Sequence, residues 1–235
     1  MTEQGNRDRS LDAIRATYDT YEREGRSALW DRSNAGYRRL GQARDAALLD
    51  LVRRSLPLPS RGCLLDVGCG TGGLAALVDS EGLSVVVTGV DLLPERLAIA
   101  RERVPSATFV LCSADEMPFD TGGFDITAAV TLFSSLPSQP LEMAVAREID
   151  RVVRPGGWLI WYDIRYRNPW NPGVHGISQQ RLHELFPGWP AELRSFSLLP
   201  PIARRLGRST PITYPALDAL APLRSHLIGR LRKPG

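Results

Sequence analysis

The sequence predicts an α/β protein built on a doubly wound, mostly parallel sheet. Three observations carry that prediction. Between residues 60 and 163, apolar β-branched runs alternate with stretches whose apolar residues recur at helical spacing, the pattern of successive strand–helix units. A glycine-dense loop, Gly68-Cys69-Gly70-Thr71-Gly72-Gly73, joins the first of these strands to its helix. Acids close the strands: Asp91, Asp115 and Asp163 stand at or just past predicted carboxyl ends, and Asp66 sits beside the glycine loop. Ligands of open α/β sheets bind beyond the carboxyl ends of the strands, where strand order reverses. These residues are therefore expected to line one crevice.

Composition narrows the class. A chain of 235 residues suits one α/β domain with additions, and 43% hydrophobic content allows a full core. No apolar run approaches the ~20 residues of a membrane span. The opening Met-Thr-Glu-Gln-Gly-Asn-Arg-Asp-Arg-Ser lacks the apolar segment of a signal peptide, so cytoplasmic residence with no membrane partner is the expectation. Cys63, Cys69 and Cys112 are odd in number and lack metal-ligand spacing. They read as reduced residues, and no metal is expected. A net charge of +3 does not call for a nucleic-acid partner. From Pro201 onward six arginines and Lys233 face a single acid, Asp218, which reads as a solvated basic surface.

The elements follow in order. Leu11, Ile14, Tyr18 and Tyr21 recur at helical spacing, and a loop with Trp30 follows. Leu40, Ala47, Leu48, Leu51, Val52 and Leu56 mark a second helix, ended by Pro57 and Pro59. Helices ahead of the first strand cannot belong to the sheet. Residues 1–59 are thus expected to form a helical lid on a domain spanning 60–235, lying across the sheet face or over its edge. Tyr18, Tyr21 and Trp30 would either cover a ligand there or fill core.

Cys63 to Val67 is the first strand and Leu74 to Val78 begins its helix. Val85 to Asp91 is a continuous apolar run, as in a parallel strand buried on both faces. Pro94 opens a helix that carries Glu95 early and Arg101 and Arg103 late. Ala107–Leu111 and Phe124–Val130 are further strands. A helix from Pro140 to Val153 stops at Arg154-Pro155-Gly156-Gly157, and Trp158–Asp163 is the fifth strand. Beyond it, residues 164–192 and 200–223 are expected on the substrate side, with a short helix at Gln179–Phe186 and strands at Leu193–Leu199 and Ser225–Arg232.

The glycine loop alone is ambiguous. Gly68, Gly70 and Gly73 satisfy the dinucleotide fingerprint, a weak signal. Asp66 argues against a pyrophosphate, which an adjacent carboxylate would repel, and for a cationic amino group.

Taken together, Asp66-Val67-Gly68-Cys69-Gly70-Thr71-Gly72, Val90-Asp91, Ala114-Asp115-Glu116-Met117-Pro118-Phe119, Phe124-Asp125 and Arg154-Pro155-Gly156-Gly157 resemble the ordered signature of the class I S-adenosylmethionine (SAM) methyltransferases. The resemblance implies a seven-stranded sheet of order 3-2-1-4-5-7-6 with strand 7 antiparallel. It implies SAM as cofactor. Asp66 would meet the methionine ammonium, and the backbone from Gly68 through Cys69 and Gly70 to Gly72 would pack on the amino-acid moiety. Asp91 would take the ribose hydroxyls with Leu92 beside it. Ala114, Asp115 and Glu116 would hold the adenine, and Val130 and Thr131 would flank the sulfonium. Relatives often carry two histidines after strand 4, where this chain has Ser134 and Ser135.

A base is needed only for an acceptor that must lose a proton. Asp163 and His175 are the candidates for that role, and Arg165 is the candidate acceptor-binding cation. No Asn/Asp-Pro-Pro-aromatic motif of nucleic-acid amino methyltransferases follows strand 4, and no Pro-Cys nucleophile or strand-4 carboxylate cluster for a metal is present. The expected reaction is methyl transfer to a hydroxyl or amine of a small molecule, with a sugar-containing or natural-product acceptor in view, by a monomer or homodimer. A non-catalytic SAM-binding protein and an RNA methyltransferase are the alternatives.

Overall fold

The computed structural model describes residues 12, 15, 16, 20, 33–57, 61–166 and 174–235. Tyr18, Tyr21 and Trp30 lie outside the described residues.

The sheet has seven strands in the order β3-β2-β1-β4-β5-β7-β6. They are β1 Gly62–Val67, β2 Val85–Asp91, β3 Thr108–Leu111, β4 Phe124–Val130, β5 Val153–Ile164, β6 Ala191–Leu198 and β7 Arg224–Arg232. Strands β1 to β5 pair in parallel, and β7 runs antiparallel between β5 and β6. The order reverses at β1, where chain growth leaves β3 on one edge and resumes at β4 on the other side. β5 starts at Val153 and takes in the Pro155-Gly156-Gly157 stretch that the sequence reads as a helix stop.

Alternation along the strands builds two cores, one on each face. Leu65, Val67, Leu159 and Trp161 point to one face, under α4 (Gln139–Val152) and α5 (Gln179–Leu185). Leu64, Ile160 and Tyr162 point to the other, under α1 (Ala35–Ser55), α2 (Gly73–Ser80) and α3 (Pro94–Arg103). α1 thus lies across the face, through Leu48, Leu51 and Val52. Asn34 caps it, accepting the Tyr37 N–H at 3.0 Å.

The segment between β6 and β7 folds into α6 (Pro200–Arg205), α7 (Thr210–Asp218) and two short 3-10 turns. A small core of Leu40, Leu198, Ala203 and Tyr214 fastens it to α1. The contact is close because Gly36 has no side chain: a Cβ there would lie 1.8 Å from the Ala203 carbonyl oxygen.

Candidate active site

Backbone geometry shapes the glycine loop. Gly68, Gly70 and Gly72 have φ of 72°, 53° and 72°, the left-handed region that glycine enters without steric cost. The Gly68 and Cys69 N–H groups both donate to the Val90 carbonyl at 2.9 Å, which closes the turn over β2. Asp91 completes it. One of its carboxylate oxygens accepts the Gly70 N–H at 2.8 Å, and the other accepts the Leu93 N–H at 3.0 Å.

A cavity of about 960 Å³ opens above this loop, across the carboxyl ends of β1, β2 and β4. Asp66, Gly68, Cys69, Gly70, Asp91 and Leu92 line one side of it, and Ala114, Val130 and Thr131 line another. The structure therefore brings together residues that the sequence spreads from β1 to the end of β4. Gly72 is buried beneath the loop against Ala100 and Phe109 and is not part of the lining. Asp115 accepts the Ser113 hydroxyl, while its neighbour Glu116 is exposed; neither lines the cavity.

Asp66 is the electrostatic centre. It is 3% exposed, and no group among the described residues hydrogen-bonds to its carboxylate. Burial, and then the nearby Asp91 carboxylate, push its carboxyl up to about 7. Strand parity explains the pairing, since Asp66 and Asp91 both point to the face that α1, α2 and α3 cover.

Thr131 is strained, with φ of 57° in a non-glycine residue. Its N–H donates to the Tyr162 carbonyl at 2.7 Å, and its hydroxyl to the Val130 carbonyl at 2.7 Å. This fixes the turn that leaves β4 at the cavity rim.

Asp163 takes a different place from the one its sequence position indicates. It shares the parity of Trp161, so it points toward α4 and α5 and is wholly buried. Its carboxylate accepts the N–H groups of Ser134 at 3.1 Å and Ile164 at 2.8 Å. Burial raises the carboxyl to about 6, against these hydrogen bonds that lower it. Its oxygens tie the end of β5 to the 3-10 turn Phe133–Ser135, and Asp163 does not line the cavity.

His175 lies on the same side. Its N–H donates to the Ser134 carbonyl at 3.0 Å, and its Nε2 lies 2.8 Å from Glu142 Oε1. Arg165 stacks on Tyr166, its guanidinium carbon 4.3 Å from the ring centre. Neither His175 nor Arg165 lines the cavity.

Sequence reasoning missed the contribution of α1. Arg44, Asp45 and Leu48 line the cavity, and Arg44 holds Asp45 through Nε at 3.0 Å. It also missed Leu132, Leu136, Leu141 and Val145, an apolar wall from the β4 turn and α4. Leu141 and Val145 stand at i, i+4 on one helical face, which is the signal that pointed to them. His226, within the Ser225–Arg232 strand run, carries no such signal. It is buried, stacked on Tyr162 with ring centres 4.6 Å apart, and burial pushes it down to about 3, so it is neutral.

Among the described residues no group of three His, Cys, Asp or Glu side chains has the arrangement to hold a metal ion. Nor is any helix among them long and apolar enough to cross a membrane.

A family model described as a methyltransferase domain matches residues 64–157. That match runs from β1 into β5, and the strand order above is the one a class I, Rossmann-like SAM-dependent methyltransferase has. Among curated proteins it is similar to the phthiotriol/phenolphthiotriol dimycocerosates methyltransferase of Mycobacterium leprae, 32% identical over 124 residues, 52% of this chain and 45% of the relative. It is 40% identical over 94 residues to the demethylmenaquinone methyltransferase of Chlorobaculum tepidum, 40% of this chain and 37% of the relative. The chain thus spans less than half the length of either relative. Phosphoethanolamine N-methyltransferase 2 of Haemonchus contortus, solved in complex with SAM, shares the fold. Its TM-score is 0.58 at 20% identity, over 80% of this chain and 52% of that one.

Proposed function

We propose that this chain binds SAM in the cavity above the glycine loop and transfers its methyl group to a hydroxyl or amine of a small molecule. Asp66 carries the reading. A nearly buried carboxylate with no hydrogen-bond partner among the described residues, set in a cavity wall, is costly unless a ligand brings a positive group to it. The α-ammonium of the cofactor is such a group. The glycine loop fits the rest, because a Cβ on Gly68 would meet Leu132 at 2.9 Å and narrow the floor.

In this reading Asp66 meets the ammonium and the backbone of Gly68, Cys69 and Gly70 carries the amino-acid moiety, with Gly72 shaping the turn beneath. Asp91 receives the ribose hydroxyls beside Leu92. The adenine lies along Ala114, with Asp115 and Glu116 on the same loop, and Val130 and Thr131 border the transferred methyl. SAM, when bound, supplies a methyl group on a sulfonium that leaves as a neutral thioether. The work left to the protein is alignment and exclusion of water, and alignment alone can lower a barrier by several kcal/mol. No metal is assigned a part.

The acceptor takes the β4–β5 side, where Arg165 and His175 lie. His175 is the proposed base. Asp163 serves it by holding the Ser134 turn on which the His175 backbone rests. Tyr18, Tyr21 and Trp30 are the aromatic residues assigned to cover the acceptor. The relatives named for phthiotriol and demethylmenaquinone support a small-molecule acceptor. A cytoplasmic monomer or homodimer completes the reading.

Calorimetry with SAM, S-adenosylhomocysteine and NAD tests it. Binding of the first two is expected, and tight NAD binding with no SAM signal would overturn the assignment.

A further inference from the structure

Resting on the proposed methyl transfer, we infer that Glu142 and His175 form an acid–base dyad, with Glu142 the positioning residue and His175 Nδ1 the atom that takes the proton of an acceptor hydroxyl. Glu142 stands in the first turn of α4, and its side chain is 3% exposed. Arg181 on α5 approaches one of its oxygens, Nε to Oε2 at 2.9 Å. Glu184 in turn receives the other side of that guanidinium at 3.1 Å. The Glu142 charge is therefore met without a histidine.

Its second oxygen is nevertheless committed to His175 Nε2 at 2.8 Å. A carboxylate held charged by an arginine accepts only, so Nε2 carries a proton, and in the neutral ring Nδ1 is then the nitrogen with the free lone pair. The His175 side chain is 41% exposed, against 3% for Glu142. One nitrogen is thus anchored in a buried network, and the ring extends outward from it.

The place is the right one for a base. The His175 backbone is bonded to Ser134, between cavity-lining Leu132 and Ser135. Glu142 follows Leu141 on α4, and Leu141 lines the same cavity. Chain neighbours of both anchoring segments thus line the cofactor cavity on the β4 side, while neither side chain of the dyad does.

This pairing also selects the acceptor. A neutral amine attacks through its own lone pair and sheds its proton afterwards, whereas a hydroxyl must give up its proton as the new bond forms. His175 Nδ1 takes that proton while the acceptor oxygen bonds the methyl carbon and the carbon–sulfur pair stays with sulfur. The products are a methyl ether, a thioether and an imidazolium whose charge Glu142 meets.

The test uses the full chain labelled with ¹⁵N-histidine, in which only His175, His183 and His226 report. With S-adenosylhomocysteine bound, His175 is expected to show a protonated Nε2 and a bare Nδ1. Glu142→Gln should mix or invert that tautomer, and Glu142→Asp should restore it. Exchange of S-adenosylhomocysteine for sinefungin, which places an amine-bearing carbon where the methylsulfonium would be, should shift His175 Nδ1 and leave His183 unmoved. A protonated Nδ1 in the wild type, an unchanged tautomer in Glu142→Gln, or an Nδ1 silent to sinefungin while both compounds bind would overturn the dyad alone. A chain that binds neither compound overturns the methyl-transfer reading, and the dyad's role falls with it.

Discussion

The carboxylate of Asp163 accepts the backbone N–H of Ser134 at 3.1 Å, joining the end of β5 to the turn that leaves β4. The same carboxylate accepts the Ile164 N–H at 2.8 Å. Asp163→Ala would leave both donors buried and unpaired, at about 1–3 kcal/mol for each. Urea unfolding is expected to show that loss, with a smaller one in Asp163→Asn, which keeps an acceptor oxygen. Wild-type stability in both variants would show that water or a rearranged turn takes over the bonds.

Burial raises the carboxyls of Asp163 to about 6 and Asp66 to about 7, from an ordinary 3.8. The folded chain therefore holds protons that the unfolded chain has released. The stability these groups contribute is complete below the unfolded value and is lost as pH rises through about 6 and then about 7. The ligand-free protein is expected to unfold at higher urea near pH 5 than near pH 8. Asp66→Asn and Asp163→Asn should each flatten the slope.

Binding should show the opposite trend. A cationic ammonium favours the charged form of Asp66, so the proton leaves when the ligand enters. SAM affinity is expected to rise with pH through about 7. Calorimetry in two buffers of different ionisation enthalpy should detect the released proton. In Asp66→Asn the release should vanish, and binding should weaken by roughly 1.5–3 kcal/mol, the scale of a hydrogen bond to a charged group.

Asp91 has two duties. It receives the Gly70 and Leu93 N–H groups and is proposed to receive the ribose. Asp91→Ala is expected to cost roughly 1.5–3 kcal/mol of cofactor affinity and also to speed amide exchange at Gly70. Faster exchange with unchanged affinity would leave Asp91 a loop residue only.

The insertion between β6 and β7 seats on α1 at Gly36. A methyl group there would lie 1.8 Å from the Ala203 carbonyl oxygen, so one helix must move. Gly36→Ala is expected to lose about 1–3 kcal/mol, the usual cost of forced overpacking. Proteolysis should then open the 200–223 segment first, since β1 and its glycine loop do not depend on that contact.

Much of the fold was legible in the sequence because its signals are local. Strand runs, helix stripes and the glycine turn each declare themselves within a few residues, and Leu64 and Leu65 already state which face each neighbour serves. The acids at the strand ends, and the family signature they resemble, were legible for the same reason. Only tertiary structure decided what each acid meets. Asp163 and Ser134 are 29 residues apart, His175 and Glu142 are 33 apart, and Arg230 reaches the Arg54 carbonyl across 176. Parity around β5 sent Asp163 away from the cavity, and the docking of α1 brought Arg44 and Asp45 to it. A local pattern records the conformation of its own residues; the partner of a buried charge is set by the packing of distant elements, where leaving that charge unpaired would cost more than any local preference.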